Sequence, residues 1–330
     1  MNKLPIDIVI TWVDGNDPVW IKDKNKYSTK NLEENNEIGS KSRYHDNGLL
    51  KYLFRGIESF LPFIRNVYFV TYGHLPTWLN TSNKQLIIVN HSDFLPKEYL
   101  PTFNSNTLNL NLHRIKGLSN NFIYLNDDCF FLKKSSENLF FKNDLPTDMC
   151  VMDILDTKKP TPYWHFVFND TILFNKNFNK KKIQKKYFKK WFSIKYGKML
   201  FKNILLSPFS LSPGFYETHL PSSYNKDMYI KAWEENFAFL DNASKNKFRT
   251  NDDASEYLIK YYQYGTGHFE PINKNKYGHY YGKNYDSICK DILSQKYNYI
   301  CINEDPTGDN LSKIIKAFEK ILPTKSKFEK

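Results

Sequence analysis

Short apolar runs that end in polar turns recur through the N-terminal part of the chain. These runs predict buried strands at Ile6–Val13, Asn66–Tyr72, Gln85–Val89 and Phe122–Leu125. Between them, apolar residues at helical spacing predict helices at Asp46–Phe60 and Thr107–Leu118. Strands that alternate with helices in this way are typical of an α/β fold whose sheet is largely parallel.

The rest of the chain predicts an irregular segment and a second set of elements. Residues 22–45 are polar and predict a loop, whereas residues 140–215 are irregular and basic. The elements predicted further on are a helical stretch at Tyr229–Tyr262 with an interruption at Phe248–Asp253, a strand at Tyr297–Ile302 and a helix at Asp309–Leu322. We therefore expect one domain over residues 1–330, in which residues 140–215 form an insertion or subdomain.

One segment of this insertion carries much of the positive charge. No acidic residue occurs between Asn175 and Lys202, and apolar residues recur at helical spacing among the lysines. The pattern predicts a basic amphipathic helix over residues 175–202. Such a helix either packs its apolar stripe on the core and leaves its lysines in solvent, or presents a face to an anionic membrane or a polyanionic acceptor.

Charge and cysteine content limit the partners and the compartment. The formal net charge of +12 attracts anions, which include nucleic acid, acidic lipid and phosphorylated substrates. The cysteines have no CxxC spacing, so we expect reduced thiols rather than a zinc site or disulfides; they are Cys129, Cys150, Cys289 and Cys301. The chain has no signal-peptide pattern and no apolar run of about 18 residues. We expect a cytoplasmic protein that is at most peripheral to a membrane.

Acidic residues follow two of the predicted strands. Asp127 and Asp128 come after Phe122–Leu125, and Asp14-Gly15 comes after the first strand. Ligands of parallel sheets bind at the carboxyl ends of strands, where carboxylates can hold Mg²⁺ together with phosphate oxygens. The amides of the Asp14-Gly15 turn can likewise cradle a phosphate. The alternative is that both motifs are ordinary aspartate-rich turns.

His219 and Arg249 have the chemistry that a phosphate-transferring site needs. Arginine offers a planar fork for two phosphate oxygens, and histidine titrates near neutral pH. However, a single histidine is more often structural, and a single arginine more often forms a surface ion pair. Residue type alone therefore does not separate these two from the other cationic residues of the chain.

Four blocks of sequence, taken in order, connect these candidates. They are IDIVITWVDGND at Ile6–Asp17, a long block at Arg43–Asn80 and Leu100–Phe131 that contains LPTFNSN and FIYLNDD, a block from His219 through FRTNDDASEYLIKYY at Phe248–Tyr262, and YICINED at Tyr299–Asp305. Together they resemble the Stealth family of sugar-phosphate transferases. That family includes bacterial capsule phosphotransferases and the animal N-acetylglucosamine-1-phosphotransferase.

The resemblance implies both a fold and an activity. The fold is Rossmann-like and of the glycosyltransferase type: a mixed or mostly parallel sheet flanked by helices, here with the basic helical insertion. The activity is transfer of a hexose-1-phosphate, with N-acetylhexosamine-1-phosphate preferred, from a nucleotide-sugar such as a UDP-N-acetylhexosamine. The acceptor is a hydroxyl of a saccharide or growing polysaccharide, the product is a phosphodiester, and a nucleoside monophosphate is released. Mg²⁺ or Mn²⁺ is the implied cofactor, and nucleic acid is not an expected partner.

The resemblance also implies roles for individual residues. The catalytic residues are Asp128, His219 and Arg249, and the metal ligands are Asp127 and Asp128. The substrate-binding residues are Asp14, Gly15, Asn104, Ser105, Arg114 and Asp253. One departure concerns the acceptor: the family often has a small residue and then Ile-Glu after FNS, whereas this chain reads Asn106-Thr107-Leu108-Asn109 and lacks the acid.

The expected mechanism is attack by the acceptor hydroxyl on the phosphorus that bears the sugar. His219 is the preferred general base, and a carboxylate is the rival candidate.

Two other classes of function stay open from the residues alone. One is a glycosyltransferase that attacks the anomeric carbon and releases a nucleoside diphosphate. The other is a basic binding protein for membrane or nucleic acid, which has no need of the acidic residues.

Overall fold

The computed structural model describes residues 4–28, 47–156, 161–282, 284–303 and 306–330. Its strands are β1 (Ile6–Thr11), β2 (Ile64–Thr71), β3 (Leu86–Asn90), β4 (Asn121–Asn126), β5 (Cys129–Phe131), β6 (Phe141–Lys142), β7 (Leu145–Asp148), β8 (Ser222–Asn225), β9 (Glu270–Pro271), β10 (Gly278–Tyr281) and β11 (Tyr299–Ile302). Its α-helices are α1 (Pro18–Tyr27), α2 (Leu50–Phe60), α3 (His91–Phe94), α4 (Ser105–Leu110), α5 (Pro162–Asn177), α6 (Lys180–Lys186), α7 (Phe188–Trp191), α8 (Leu200–Leu206), α9 (Lys226–Ser244), α10 (Tyr257–Thr266), α11 (Tyr285–Leu293) and α12 (Gly308–Ile321). Arg43, Glu304 and Asp305, which belong to the sequence blocks above, lie outside the described residues.

The central sheet has the order β3-β2-β1-β4-β8. Its first four strands are parallel, and β8 pairs antiparallel with β4 at the edge. Every residue of β1 is buried, as expected for a parallel strand that is covered on both faces. The order 3-2-1-4 is that of the doubly wound Rossmann sheet. The predicted α/β fold with a mixed, mostly parallel sheet flanked by helices is therefore confirmed.

The carboxyl ends of β1 and β4 lie side by side, because Thr11 pairs with Asn126 in the parallel register. After Asn126 the chain turns through Asp127 and Asp128 into β5, which joins a second sheet of order β10-β11-β5. The amide of Ile302 on β11 donates to the carbonyl oxygen of Asp128 at 2.9 Å. The acidic turn is thus fixed between two sheets.

Two predicted segments differ from the observed elements. The predicted helix at Thr107–Leu118 is shorter, because Asn111 leaves the helical conformation and its side chain donates to the Thr107 carbonyl and the Ser244 hydroxyl. The predicted loop at residues 22–45 begins as the end of α1. That helix is started by Asp17, whose carboxylate accepts from the Trp20 amide.

The predicted single helix over residues 175–202 is wrong, because the segment is divided among short helices. Asn179 breaks the first helix and caps the next one by accepting from the Lys182 amide. Gly197 adopts a left-handed φ of 59°, which ends a later turn. Trp191 and Tyr196 are fully buried, and the Trp191 indole donates to the Tyr264 carbonyl on α10. The apolar side of the segment therefore packs on α10. Most of its lysines lie at the surface, whereas Lys180 is 1% exposed and donates to the carbonyl oxygens of Leu206 and Leu211.

No helix within the described ranges is long and apolar enough to cross a membrane.

Candidate active site

A cavity of about 1260 Å³ opens at the carboxyl edge of the central sheet. Its walls are the residues that follow β1 and β4, the start of α4, and segments next to β8 and α10. The cavity exceeds the range of about 300–1,000 Å³ that is typical of single small-molecule sites, so it has room for two substrates. The predicted site residues that line it are Asn104, Ser105, Asp127, Asp128, His219 and Arg249.

His219 lies between two side chains of the turn after β4. Its Nε2 is 3.0 Å from Asn126 Nδ2 and 3.4 Å from Asp128 Oδ2. The Tyr124 hydroxyl donates to Asn126 Oδ1 at 2.5 Å, which turns the amide N–H of Asn126 toward the imidazole. Neutral His219 can therefore accept from Asn126, and once Nε2 gains a proton it can donate to Asp128. The geometry accommodates both states of a histidine that takes up a proton.

The charges of Asp128 and His219 support each other. Burial acts against both charges, but the attraction between the two side chains outweighs it, so the pKa of Asp128 is lowered and the pKa of His219 is raised. The carboxylate of Glu256 raises the pKa of His219 further, and the guanidinium of Arg249 lowers it. Both of these side chains thus lie within electrostatic range of the imidazole.

Arg249 is held against the start of α4. Its Nη2 donates to Ser105 Oγ at 2.5 Å. The loop that carries Arg249 is joined to α4 by Asp253, which accepts from Asn104 Nδ2 at 2.8 Å and from Asn106 Nδ2 at 3.2 Å. Asp253 is 1% exposed and does not line the cavity. It therefore acts by positioning Asn104 and Arg249 rather than by touching a ligand in the cavity.

In the predicted phosphate cradle at Asp14 and Gly15, the amides of Asp14, Asn16 and Asp17 already have partners within the protein. The Asp14 amide donates to His74 Nε2 at 2.6 Å, the Asn16 amide donates to Asp14 Oδ1 at 2.9 Å, and the Asp17 amide donates to the Asp14 carbonyl at 3.1 Å. Asp14 and Gly15 also do not line the cavity. This turn instead fixes the path from β1 into α1.

Arg114 also does not line the cavity, so the geometry gives its predicted substrate-binding role no support. Its Nε donates to Asn111 Oδ1 at 2.8 Å, and its guanidinium carbon lies 4.8 Å from the ring centroid of Trp233. A guanidinium in this arrangement stacks on the indole. Arg114 therefore packs α9 against the turn after α4.

Asp127 and Asp128 offer the oxygen donors that Mg²⁺ or Mn²⁺ prefers. Both line the cavity, and the Asp128 side chain is 23% exposed. Ligand atoms of Asp128, Cys129 and Cys301 also lie within 4.8 Å of one another. However, Cys129 donates to Asp128 Oδ1, and burial raises the pKa of Cys301 well above its usual range. Because protonated thiols are poor metal ligands, the residues fit a hard ion at the two carboxylates better than a thiolate-bound metal.

Residues 4–32 match Stealth protein CR1, conserved region 1, and residues 43–148 match Stealth protein CR2, conserved region 2. The capsular polysaccharide phosphotransferase WcwK of Streptococcus pneumoniae is 38% identical over 100% of this chain and 99% of its own length. The chain belongs to the Stealth family. The expected family resemblance is confirmed.

Two further similarities extend over nearly the whole chain. The exopolysaccharide phosphotransferase cps2G of Lactiplantibacillus plantarum is 33% identical over 98% of this chain and 96% of its own length. Among solved structures, the galactosyltransferase LgtC aligns with 97% of this chain and 98% of its own at 10% identity and a TM-score of 0.42. His219 and Arg249 lie outside the two matched Stealth regions but inside the alignments with the Stealth relatives.

Two glutamates on the cavity wall escaped the sequence predictions. Glu256 precedes α10, and its Oε2 accepts from Asn109 Nδ2 at 3.1 Å. Glu217 is 4% exposed in its side chain and accepts from Lys260 at 2.8 Å; burial raises its pKa to about 7 although Lys260 opposes the rise. Glu256 lies within the third block of Stealth-like sequence, and Glu217 lies two residues before His219. These sequence positions could have drawn attention to the two glutamates, but a position in the sequence does not show which acidic side chains face the cavity.

Proposed function

We propose that the chain transfers a sugar-1-phosphate from a nucleotide-sugar to a saccharide hydroxyl, forms a phosphodiester and releases a nucleoside monophosphate. The observation that carries the proposal is the arrangement of Asp128, His219 and Arg249, which come from distant parts of the sequence and line one cavity at the carboxyl edge of the sheet. The polysaccharide phosphotransferases to which the chain is similar over nearly its whole length support the same activity. We propose a UDP-N-acetylhexosamine as donor and a growing surface polysaccharide as acceptor.

Each proposed catalytic residue has a distinct task in this reaction. His219 Nε2 takes the proton of the acceptor hydroxyl, whose oxygen forms a bond to the phosphorus that bears the sugar. The bond from that phosphorus to the bridging oxygen breaks, and the nucleoside monophosphate leaves. Arg249, held by Ser105, binds phosphate oxygens with its planar fork. A divalent ion bound by Asp127 and Asp128 would supply positive charge to the diphosphate.

The nucleotide that is released tests this proposal. We expect the purified protein, incubated with a panel of nucleotide-sugars, Mg²⁺ or Mn²⁺ and capsule-type saccharides, to release a nucleoside monophosphate in an acceptor-dependent reaction. Excess chelator should stop the release. Without a bound divalent cation, the carboxylates of Asp127 and Asp128 add negative charge beside the diphosphate instead of holding the ion that offsets it. Chromatography of the nucleotides after a fixed time gives the result.

Two outcomes would contradict different parts of the proposal. Release of a nucleoside diphosphate would mean attack at the anomeric carbon and hence glycosyl transfer. Full turnover in chelator would remove the metal from the reaction while leaving phosphoryl transfer in place. The variant Asp128→Asn tests the same metal site through the protein. It removes one carboxylate charge from the cavity and should lower turnover in the same metal buffers.

We further propose that the basic segment binds the anionic inner face of the cytoplasmic membrane. Between residues 181 and 211, exposed lysines are interspersed with exposed apolar side chains, of which Ile194 is 86% exposed and Phe201 is 61% exposed. No acidic residue lies between Asn175 and Lys202. An exposed apolar surface among lysines, in a segment that itself has no acidic residue, has the chemistry of an interfacial membrane contact.

Vesicle binding tests the membrane contact. We expect the protein to co-sediment with vesicles that contain anionic lipid and far less with neutral vesicles. Exchanging Lys182, Lys185 and Lys189 for glutamine should weaken binding about 10²-fold, since each lysine near an anionic surface contributes about 1 kcal/mol. The matched control exchanges three exposed lysines of α12, Lys313, Lys316 and Lys320, and should leave binding unchanged. Equal binding to both vesicle types, or none to either, rules the contact out.

A further inference from the structure

Glu256 is a half-buried carboxylate on the cavity wall that has no role in the steps above. It occupies the N-cap position of α10, but its side chain makes no capping hydrogen bond. An N-cap side chain ordinarily accepts from an amide of the first helical turn. The Glu256 side chain turns instead to α4, where Oε2 accepts from Asn109 Nδ2 at 3.1 Å. Helix capping therefore does not account for this carboxylate.

The position of Glu256 is fixed from both sides. The preceding residue, Ser255, donates from its amide at 3.0 Å and from its hydroxyl at 2.5 Å to Asp170, which is completely buried on α5. Asn109 is 5% exposed and fixes one carboxylate oxygen. A side chain that is held by its backbone and by a buried partner is preorganised for a ligand.

Glu256 lies next to the proposed proton acceptor. Asn126, His219 and Glu256 all line the cavity, and the three also line one narrow recess beside it. The second oxygen of Glu256, Oε1, makes no hydrogen bond within the described part of the chain. One oxygen of the carboxylate is thus available to a molecule in the cavity.

The negative charge of the Glu256 carboxylate distinguishes between the two substrates that Oε1 could contact. A carboxylate repels the diphosphate of a nucleotide-sugar but accepts strong hydrogen bonds from neutral hydroxyl groups. Aromatic rings also line the cavity, among them Tyr163, Tyr257 and Tyr280, and such rings offer apolar faces beside a polar group. This combination suits a saccharide with free hydroxyls.

We propose that Glu256 is an acceptor-binding residue whose Oε1 accepts a hydrogen bond from one hydroxyl of the saccharide acceptor and so directs a second hydroxyl toward His219 Nε2. The inference rests on the proposed phosphoryl transfer and adds the group that recognises its acceptor. The hydrogen bond from Asn109 holds this carboxylate against α4, the helix that begins at the FNS turn.

The test measures, for the variant Glu256→Gln, the KM for the saccharide acceptor and the KM for the nucleotide-sugar separately. This substitution keeps the size of the side chain and its hydrogen bond to Asn109 but removes the negative charge. We expect the KM for the saccharide acceptor to rise about 10- to 10²-fold, the effect of losing a charge-assisted hydrogen bond, and the KM for the nucleotide-sugar to change less than about twofold. Thermal melting of the same preparation checks that the fold is retained.

Glu235→Gln is the matched control. Glu235 lies on α9 outside the cavity, is 34% exposed and accepts a hydrogen bond from the Tyr262 hydroxyl at 2.7 Å. Its exchange should change neither KM. An unchanged acceptor KM in Glu256→Gln overturns the inference, as does an equal rise in both constants. Neither result affects the proposed function, which stands or falls on the nucleotide released by the unaltered protein.

Discussion

Exchange of Arg249 for lysine is expected to lower kcat about 10²-fold, the effect of losing one preorganised donor for developing negative charge. Lysine keeps the positive charge but loses the planar fork and cannot hold Ser105 Oγ and two phosphate oxygens at once. Because Arg249 lies on the cavity wall rather than in the core, the melting temperature should change little. Steady-state kinetics with a saturating nucleotide-sugar measure the effect.

Arg65→Lys is the matched control for this prediction. Arg65 also uses a bidentate fork, since its Nε and Nη2 donate to the two carboxylate oxygens of buried Asp7 at 2.9 and 2.5 Å. That pair lies at the amino ends of β1 and β2, away from the cavity. We expect Arg65→Lys to lower stability while leaving kcat close to that of the unaltered protein. If Arg249→Lys behaves in the same way, then Arg249 does not contact the transferred phosphate.

Sequence alone could predict the sheet where buried parallel strands leave continuous apolar runs. β1, β2 and β4 are such runs, and the acidic turn after β4 follows from them directly. The edge strand β8 (Ser222–Asn225) carries mostly polar side chains that pair with β4, so no apolar pattern marked it. The same reasoning failed at residues 175–202, where apolar spacing predicted one helix but Asn179 and Gly197 interrupt it.

Of the site, only the residues that lie in recognisable sequence motifs could be predicted. The FNS turn, the acidic turn, His219 and Arg249 line one cavity, whereas Arg114 had the same motif support and packs on Trp233 instead. A motif position cannot distinguish these cases, because a side chain's direction depends on partners far away in the chain. Asn109 and Glu256 show this most clearly: they are separated by 147 positions, and only the fold brings them into hydrogen-bond contact.

The identity of the general base depends on which of two neighbouring side chains, His219 or Asp128, accepts the proton. His219 and Asp128 lie 3.4 Å apart, and either could accept the proton of the acceptor hydroxyl. Asp128 is also a proposed metal ligand, and a carboxylate that shares its charge with a divalent ion is a weaker base. The Asn126 amide, oriented by Tyr124, can donate to Nε2 of the neutral imidazole, and Asp128 stabilises the imidazolium that forms when Nε2 takes a proton. These contacts favour histidine.

His219→Ala should therefore lower kcat by about 10²–10⁴-fold, the usual contribution of a general base. His268→Ala is the matched control, because His268 is also half-buried but does not line the cavity; it should keep nearly full activity. Imidazole added to His219→Ala should restore part of the lost rate, since a small base can enter the space that the side chain leaves. A purely structural role for His219 would give a rate loss that imidazole does not restore. A His219→Ala variant as active as the His268→Ala control would instead assign the proton to a carboxylate.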